Sequence, residues 1–212
     1  RLRYERTTEE GQKVQFASCC PPAVDAIRGS YPEVEEIARI FRYRAVVSRK
    51  DKDVHFTEER MYFAEPDFFK IFDIAFIKGD PLDGIRSANN AFISRSTALK
   101  YYGDEDPMGK TFSVDGKVDY AVAGIFEDIP LNSHLKFDIL LSYQNLLSLY
   151  PPQVRESWGY TGYYTYLKLK PEQVVRWAGG PLAVIDCYGI LTDDRIRRYF
   201  ELGCEVKGLG RG

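Results

Sequence analysis

Apolar and polar positions alternate with a period of two through most of the middle of the chain, and a helical period shows only in short runs. Residues 13–17 read as a short strand. Pro21 and Pro22 open a helix over 23–28, and Gly29 supplies its stop. After a turn at Ser30, Tyr31 and Pro32, the stretch 34–48 carries Ile37, Ile40, Phe41, Tyr43, Val46 and Val47, the β-branched and aromatic content of an extended strand. Lys50, Asp51, Lys52 and Asp53 form a charged hairpin tip. The chain returns over 54–64, with Val54, Phe56 and Tyr62 on one face and Met61 and Phe63 on the other.

Pro66 starts a short helix over 67–72, where Phe68 and Phe72 meet one turn apart. A strand at 74–77 ends in the turn Gly79-Asp80-Pro81. Residues 90–93 form another strand, Ser94 caps a helix over 95–102, and Gly103 closes it. Strands over 111–114 and 117–125 flank Asp115-Gly116, the strongest short hairpin signal in the chain. Phe112, Val114, Val118, Tyr120 and Val122 make its buried face. Pro130 and Asn132 interrupt the pattern. Then 136–141 reads as a strand, 142–149 as helical, Pro151-Pro152 as the start of a loop, and 163–170 as a strand with Tyr163, Thr165, Leu167 and Leu169 facing away from Lys168 and Lys170. In the tail, Trp177-Ala178-Gly179-Gly180-Pro181 breaks any helix begun at Glu172, and 190–200 reads as a short helix. The class is α+β, with no repeat of solenoid period and no low-complexity tract.

Composition narrows the function classes. A chain of 212 residues suits one large or two small domains, and 44% apolar residues are enough for a core. The net charge of −2 gives no electrostatic case for nucleic acid. The 15 Tyr and 13 Phe favour packed sheets over a helical bundle. No apolar run approaches the roughly 20 residues of a membrane span; the best candidate, 137–149, is broken by Asp138, Ser142, Gln144 and Asn145. The start Arg1-Leu2-Arg3-Tyr4 lacks an apolar leader and reads as the start of an excised fragment. Of the cysteines, Cys19 or Cys20 could pair with Cys187 or Cys204 in an oxidising compartment, but free buried thiols are the favoured reading. Zinc spacing is absent.

The segment 101–111, Tyr-Tyr-Gly-Asp-Glu-Asp-Pro-Met-Gly-Lys-Thr, imitates a phosphate-binding loop. Gly103 and Gly109 are one residue too far apart for that motif, and Asp104, Glu105 and Asp106 would repel a polyphosphate. The segment also follows a helix and opens a strand, the reverse of a phosphate loop. A calcium site at these acids lacks the spaced ligands and glycine of a binding loop.

These residues resemble instead a signature of the MacB-like periplasmic core domain of FtsX-like ABC transporter permeases. Phe63-Ala64-Glu65-Pro66-Asp67-Phe68-Phe69-Lys70-Ile71-Phe72 is similar to that family's early helix, and Phe76-Ile77-Lys78-Gly79-Asp80-Pro81-Leu82 to the strand and turn after it. Residues 90–98 running into 103–110, then 120–130 and 133–140, complete the series in order; the resemblance spans about 13–170. It implies a domain set between two membrane helices of a bacterial inner-membrane permease, on the periplasmic side. It further implies two lobes: a βαβ-type porter-like lobe from 1–41 and 130–212, and an inserted mostly-β sabre-like lobe over 42–129, with 171–212 departing from the pattern. By the same resemblance the module is not an enzyme and has no catalytic, cofactor or metal residues. It couples ATP hydrolysis by a cytoplasmic ATPase subunit or domain to periplasmic export, lipoprotein extraction or partner activation. It works with a second permease copy and a possible periplasmic adaptor or lipoprotein.

Two other classes compete. A soluble hydrolase would use His134 with Asp138, or an acid pair among Glu58/Glu59, Asp104/Glu105/Asp106, Glu127/Asp128 and Asp193/Asp194. No motif fixes a nucleophile near His134, and His55 reads as a solvent-facing strand residue. A free-standing periplasmic binding module would use a contact surface, for which Trp158, Tyr160, Tyr163, Tyr164 and Tyr166 are the candidates.

Overall fold

The structure, a computed structural model, describes residues 1–131, 133–186 and 191–208, with 185, 186 and 208 described by backbone alone. In chain order the elements are β1 (Tyr4–Thr7), β2 (Lys13–Phe16), α1 (Pro22–Ile27), β3 (Val34–Arg49), β4 (Val54–Ala64), α2 (Phe68–Ile71), β5 (Phe76–Lys78), α3 (Pro81–Gly84), β6 (Asn90–Ser94) and α4 (Arg95–Tyr102). Then come β7 (Thr111–Val114), β8 (Val118–Phe126), β9 (Ile139–Ser142), α5 (Tyr143–Leu149), α6 (Pro152–Arg155), β10 (Tyr163–Leu169), α7 (Pro171–Ala178), β11 (Ala183–Asp186), α8 (Asp193–Glu201) and β12 (Glu205–Gly208). The class is α+β, organised by one eight-stranded mixed sheet of order β10-β3-β4-β9-β6-β8-β5, with β7 paired to both β3 and β8.

That extra pairing closes the strands into a ring, β3-β4-β9-β6-β8-β7 and back to β3 through Val47↔Val114 and Ser48↔Ser113. Alternate residues point inward. Val47, Met61, Phe63, Ile93, Ile139, Leu141, Val122 and Val114 share one buried cluster, and Tyr101, Tyr102, Tyr143 and Leu146 from α4 and α5 join it. Their sequence neighbours Tyr62, Phe92 and Leu140, with Ile40 beside Phe41 of the first cluster, face the opposite way into a second cluster with Phe68, Phe126, Leu135 and Phe137. Two apolar layers on one sheet explain why 37–41 of β3 is buried without a break, whereas 45–47 alternates.

Local chemistry sets the boundaries. Ser94 Oγ accepts from the Thr97 N–H at 3.2 Å to start α4, and Gly103, at φ 60°, ends it. Asp115 and Gly116 both have positive φ, 52° and 65°, as a two-residue hairpin turn requires. The Asp115 carboxylate also accepts from the Val46 N–H at 2.9 Å, which ties the turn to β3. Phe68 and Phe72 pack with ring centroids 4.8 Å apart.

Some expectations shift. The Pro151-Pro152 loop contains α6, because Pro152 occupies the first helical position, where its missing N–H costs nothing. α7 forms through Ala178, and Gly179, at φ 81°, is its stop rather than a break within it. β10 is covered on both sides: Tyr163 enters the first cluster and Tyr166 the second. Leu167, Lys168 and Leu169 are half-buried. β1 pairs with β2, and β11 with β12 in parallel; neither pair was expected from the pattern. Asn132 and Ile190, read from sequence as a break and a helix start, lie outside the described residues, as do Gly210 and Gly212.

Candidate functional site

Two charge networks join distant segments. The first centres on Arg39, in the apolar run Ile37-Ala38-Arg39-Ile40-Phe41 of β3, which places its side chain under cover. Its Nε and Nη2 donate to Glu65 Oε1 at 3.0 and 2.6 Å, and its backbone N–H donates to Glu65 Oε2 at 2.8 Å. Nη1 donates to the Pro21 carbonyl at 2.8 Å and to Asp25 at 3.0 Å. The guanidinium lies 5.1 Å from the centroid of the Tyr143 ring. Burial alone would weaken its hold on the proton; the Glu65 charge and hydrogen bonds prevail and raise its pKa. Arg28 of the α1 end adds bonds of 3.4 Å to both Asp67 and the Ile37 carbonyl. One cation thus pins α1, β3, the exit from β4 and α5.

The second network surrounds the 101–111 segment. Arg49, at the end of β3, is buried, pairs with Asp51, donates to the Tyr101 carbonyl at 3.1 Å and sits 4.6 Å from the Tyr102 ring centroid. Glu105 accepts from both Lys110 and Lys52, and these bonds hold its carboxyl down at about 2. Asp106 pairs with Lys78 at 2.9 Å and accepts from the Met108 N–H at 3.2 Å. Lys110 is therefore turned onto an acid of its own loop, and the acidic run braces the β3–β4 tip against the entry to β7. On the far side of α4, Glu58 accepts from Lys100 at 2.7 Å and from the Tyr101 hydroxyl at 2.6 Å. Burial first, then Glu58, pushes the Tyr101 phenol up.

Of the hydrolase candidates, His134 and Asp138 line different clefts, whereas Glu127 and Asp128 share the cleft that holds His134. His134 lines one cleft, with Glu127, Asp128 and Ser133, and its ring is 6.2 Å from Tyr166. Asp138 lines another, with Glu58 and Lys100, and pairs with Arg60 at 2.7 Å. Burial raises the Asp138 pKa, with Arg60 opposing. Ser133 Oγ donates to the Leu135 carbonyl at 2.9 Å, and Asp128 accepts from the Ser96 N–H and hydroxyl at 3.0 and 2.5 Å. His55 is exposed, 3.9 Å from Asp53. Among the described residues no group of three or more His, Cys, Asp and Glu side chains is placed to hold a metal ion.

Of the aromatic run, only Trp158 stands well out, 59% exposed; Tyr160 packs on Tyr150 and Tyr163, and Tyr163 and Tyr166 are buried. Cys19, Cys20 and Cys204 are buried free thiols, and Cys187 lies outside the described residues. The Arg39 network escaped the sequence reading. Its one signal was an arginine amid four apolar neighbours in a strand; the partners come from residues far along the chain.

Comparison with known proteins adds the following. The profile of the MacB-like periplasmic core domain matches residues 7–176. Among solved structures, a domain described as that of a permease protein from Porphyromonas gingivalis is 25% identical, with TM-score 0.64, the match covering 77% of this chain and 76% of that one. The extracellular domain of the noncanonic ABC-type transporter YknZ from Gram-positive bacteria is 14% identical, with TM-score 0.57 and coverage of 84% and 87%. The periplasmic region of MacB from Actinobacillus actinomycetemcomitans is 13% identical, with TM-score 0.55 and coverage of 79% and 72%. The last two show a shared fold. No curated protein matches the chain.

Proposed function

Because the chain belongs to the MacB-like periplasmic core domain family, an extracytoplasmic domain of ABC-type transporter permeases, we propose that it carries conformational work from a cytoplasmic ATPase to the outer side of the membrane. In this reading ATP-driven closure moves the membrane helices, and the domain follows as near-rigid bodies. The output is expulsion of a substrate, extraction of a lipoprotein or activation of a partner. The permease acts as a dimer. The division into 1–41 with 130–212 and an insert over 42–129 belongs to the same proposal; β3 runs through both parts, and β9 from 130–212 pairs with β4 and β6 of the insert.

The observation that carries the reading is where the buried charge goes. Arg39, Glu65 and Arg49 are spent on tying α1, β3, α4 and α5 to one another, which suits a body that must move without deforming. The attachment of the first residues and of α8 to one strand also favours it. The Leu2 N–H donates to the Thr165 carbonyl at 2.8 Å, and Arg195 of α8 donates to the Leu169 carbonyl, so the first residues and α8 both meet β10.

The test uses the full permease with its ATPase, reconstituted in vesicles. Loosening the Arg39 junction with Arg39→Met should leave ATP hydrolysis near its normal rate while the outward function falls. An unchanged outward function in a variant shown to be locally loosened would refute the reading.

A further inference from the structure

The cleft that holds His134 is walled by the α2–β5 turn, the strand end after β8, and the segment leading to β9; its volume is about 320 Å³. That lies within the roughly 300–1,000 Å³ of small-molecule sites, which are mostly apolar with a few polar groups. The floor is aromatic and aliphatic: Leu135 and Phe137 are buried, and Phe72, Ile74 and Ile129 are half-buried. The charged lining is of one sign. Asp73, Glu127 and Asp128 contribute carboxylates beside His134, and among the described residues no lysine or arginine lines the cleft.

We propose that this cleft binds an amphiphilic cation, its apolar part seated on Phe72, Leu135 and Phe137 and its positive group held by Asp73 and Asp128. Glu127 is already engaged by Arg95 from outside the cleft, so it counts for less. Asp128 is fixed in place by Ser96, whose hydrogen bonds outweigh burial and keep its pKa low. Asp73 is exposed at the mouth. An anionic amphiphile would bring its charge against these carboxylates, which Coulomb repulsion disfavours. A quaternary ammonium gains in addition from the neighbouring aromatic faces. The site stands independently of the mechanical reading, since occupancy needs neither ATPase nor membrane.

The experiment compares three ligands with one tail: octyltrimethylammonium, octanoate and octyl glucoside. Each is titrated below its micelle concentration into the domain and followed by amide chemical shifts. The expected result is saturable binding of the cation, with shifts confined to 72–75, 127–130 and 133–137. Octanoate should bind about tenfold more weakly or worse, with the glucoside between them. Asp73→Asn should narrow that gap, and raised salt should narrow it further. Ala75→Trp, which places a bulky ring at the exposed rim, should abolish binding while leaving the remaining spectrum intact. Equal or tighter binding of octanoate, absence of saturable cation binding, or full affinity in the Ala75→Trp variant would each overturn the proposal.

Discussion

Replacing Arg39 with methionine tests the junction quantitatively. Arg39 is 8% exposed and Glu65 7%, so the substitution leaves a poorly solvated carboxylate with Arg28, 3.9 Å away, as its remaining ion-pair partner. Removing one partner of a buried pair costs about 3–5 kcal/mol, against a total stability of about 5–15 kcal/mol for a domain. The Asp25 contact adds little, because that carboxylate's side chain is 62% exposed. At about 2–4 °C per kcal/mol for a chain of this length, the melting point should fall by about 6–20 °C. Arg39→Met combined with Glu65→Gln removes both charges and keeps an acceptor for the Arg39 backbone N–H. It should lose less than the sum of the single variants, by about 1–3 kcal/mol. Urea unfolding of the four proteins, followed by circular dichroism, reads each term. If Arg39→Met costs under about 1 kcal/mol, or the single effects simply add, the junction does not hold the fold as argued.

Three further outcomes follow from particular contacts. A Cβ at Gly124 would lie 2.3 Å from the Phe92 ring and 2.8 Å from the Lys78 carbonyl, so Gly124→Ala should destabilise by about 1–3 kcal/mol; an unchanged denaturation midpoint would count against that packing. Glu105 has its pKa lowered from 4.5 to about 2 by Lys110 and Lys52, so its stabilisation is present above 4.5 and fades as pH falls towards 2. In Glu105→Gln that part of the acid sensitivity should vanish, as read by melting points across the window; an identical pH profile would show that the brace contributes nothing. Finally, with Lys110 engaged by Glu105, calorimetric titration with ATP should give no binding heat, and micromolar affinity would contradict the reading of the loop.

What was legible in the sequence was what local chemistry decides. Ser94 and Gly103 bound α4 where cap and stop residues place them, and Asp115-Gly116 turns where only residues tolerant of positive φ can. The family signature also reads locally, because its glycines, prolines and aromatic pairs act within a few residues of one another. What was hidden depends on distance. The closure of β7 onto β3 joins Val114 to Val47, and nothing near either residue announces the other. Arg39 finds Pro21, Asp25, Glu65 and Tyr143 only once three separate elements have docked. The tail misled for a different reason. Gly179-Gly180-Pro181 is a strong breaker, but α7 finishes before it, so the same residues mark an end instead of preventing a start. The acidic cleft was invisible because Phe72 is separated along the chain from Asp128 and Phe137 by β5, β6, β7 and β8.

The central claim is that this domain moves with the ATPase cycle and passes that motion outward. A spin label at Asp53, on the exposed tip between β3 and β4, would report the distance between the two copies in the reconstituted permease with its ATPase. The account predicts one pulsed-resonance distance distribution without nucleotide and a displaced one with ATP bound. Identical distributions in both states, while the outward function continues, would contradict it.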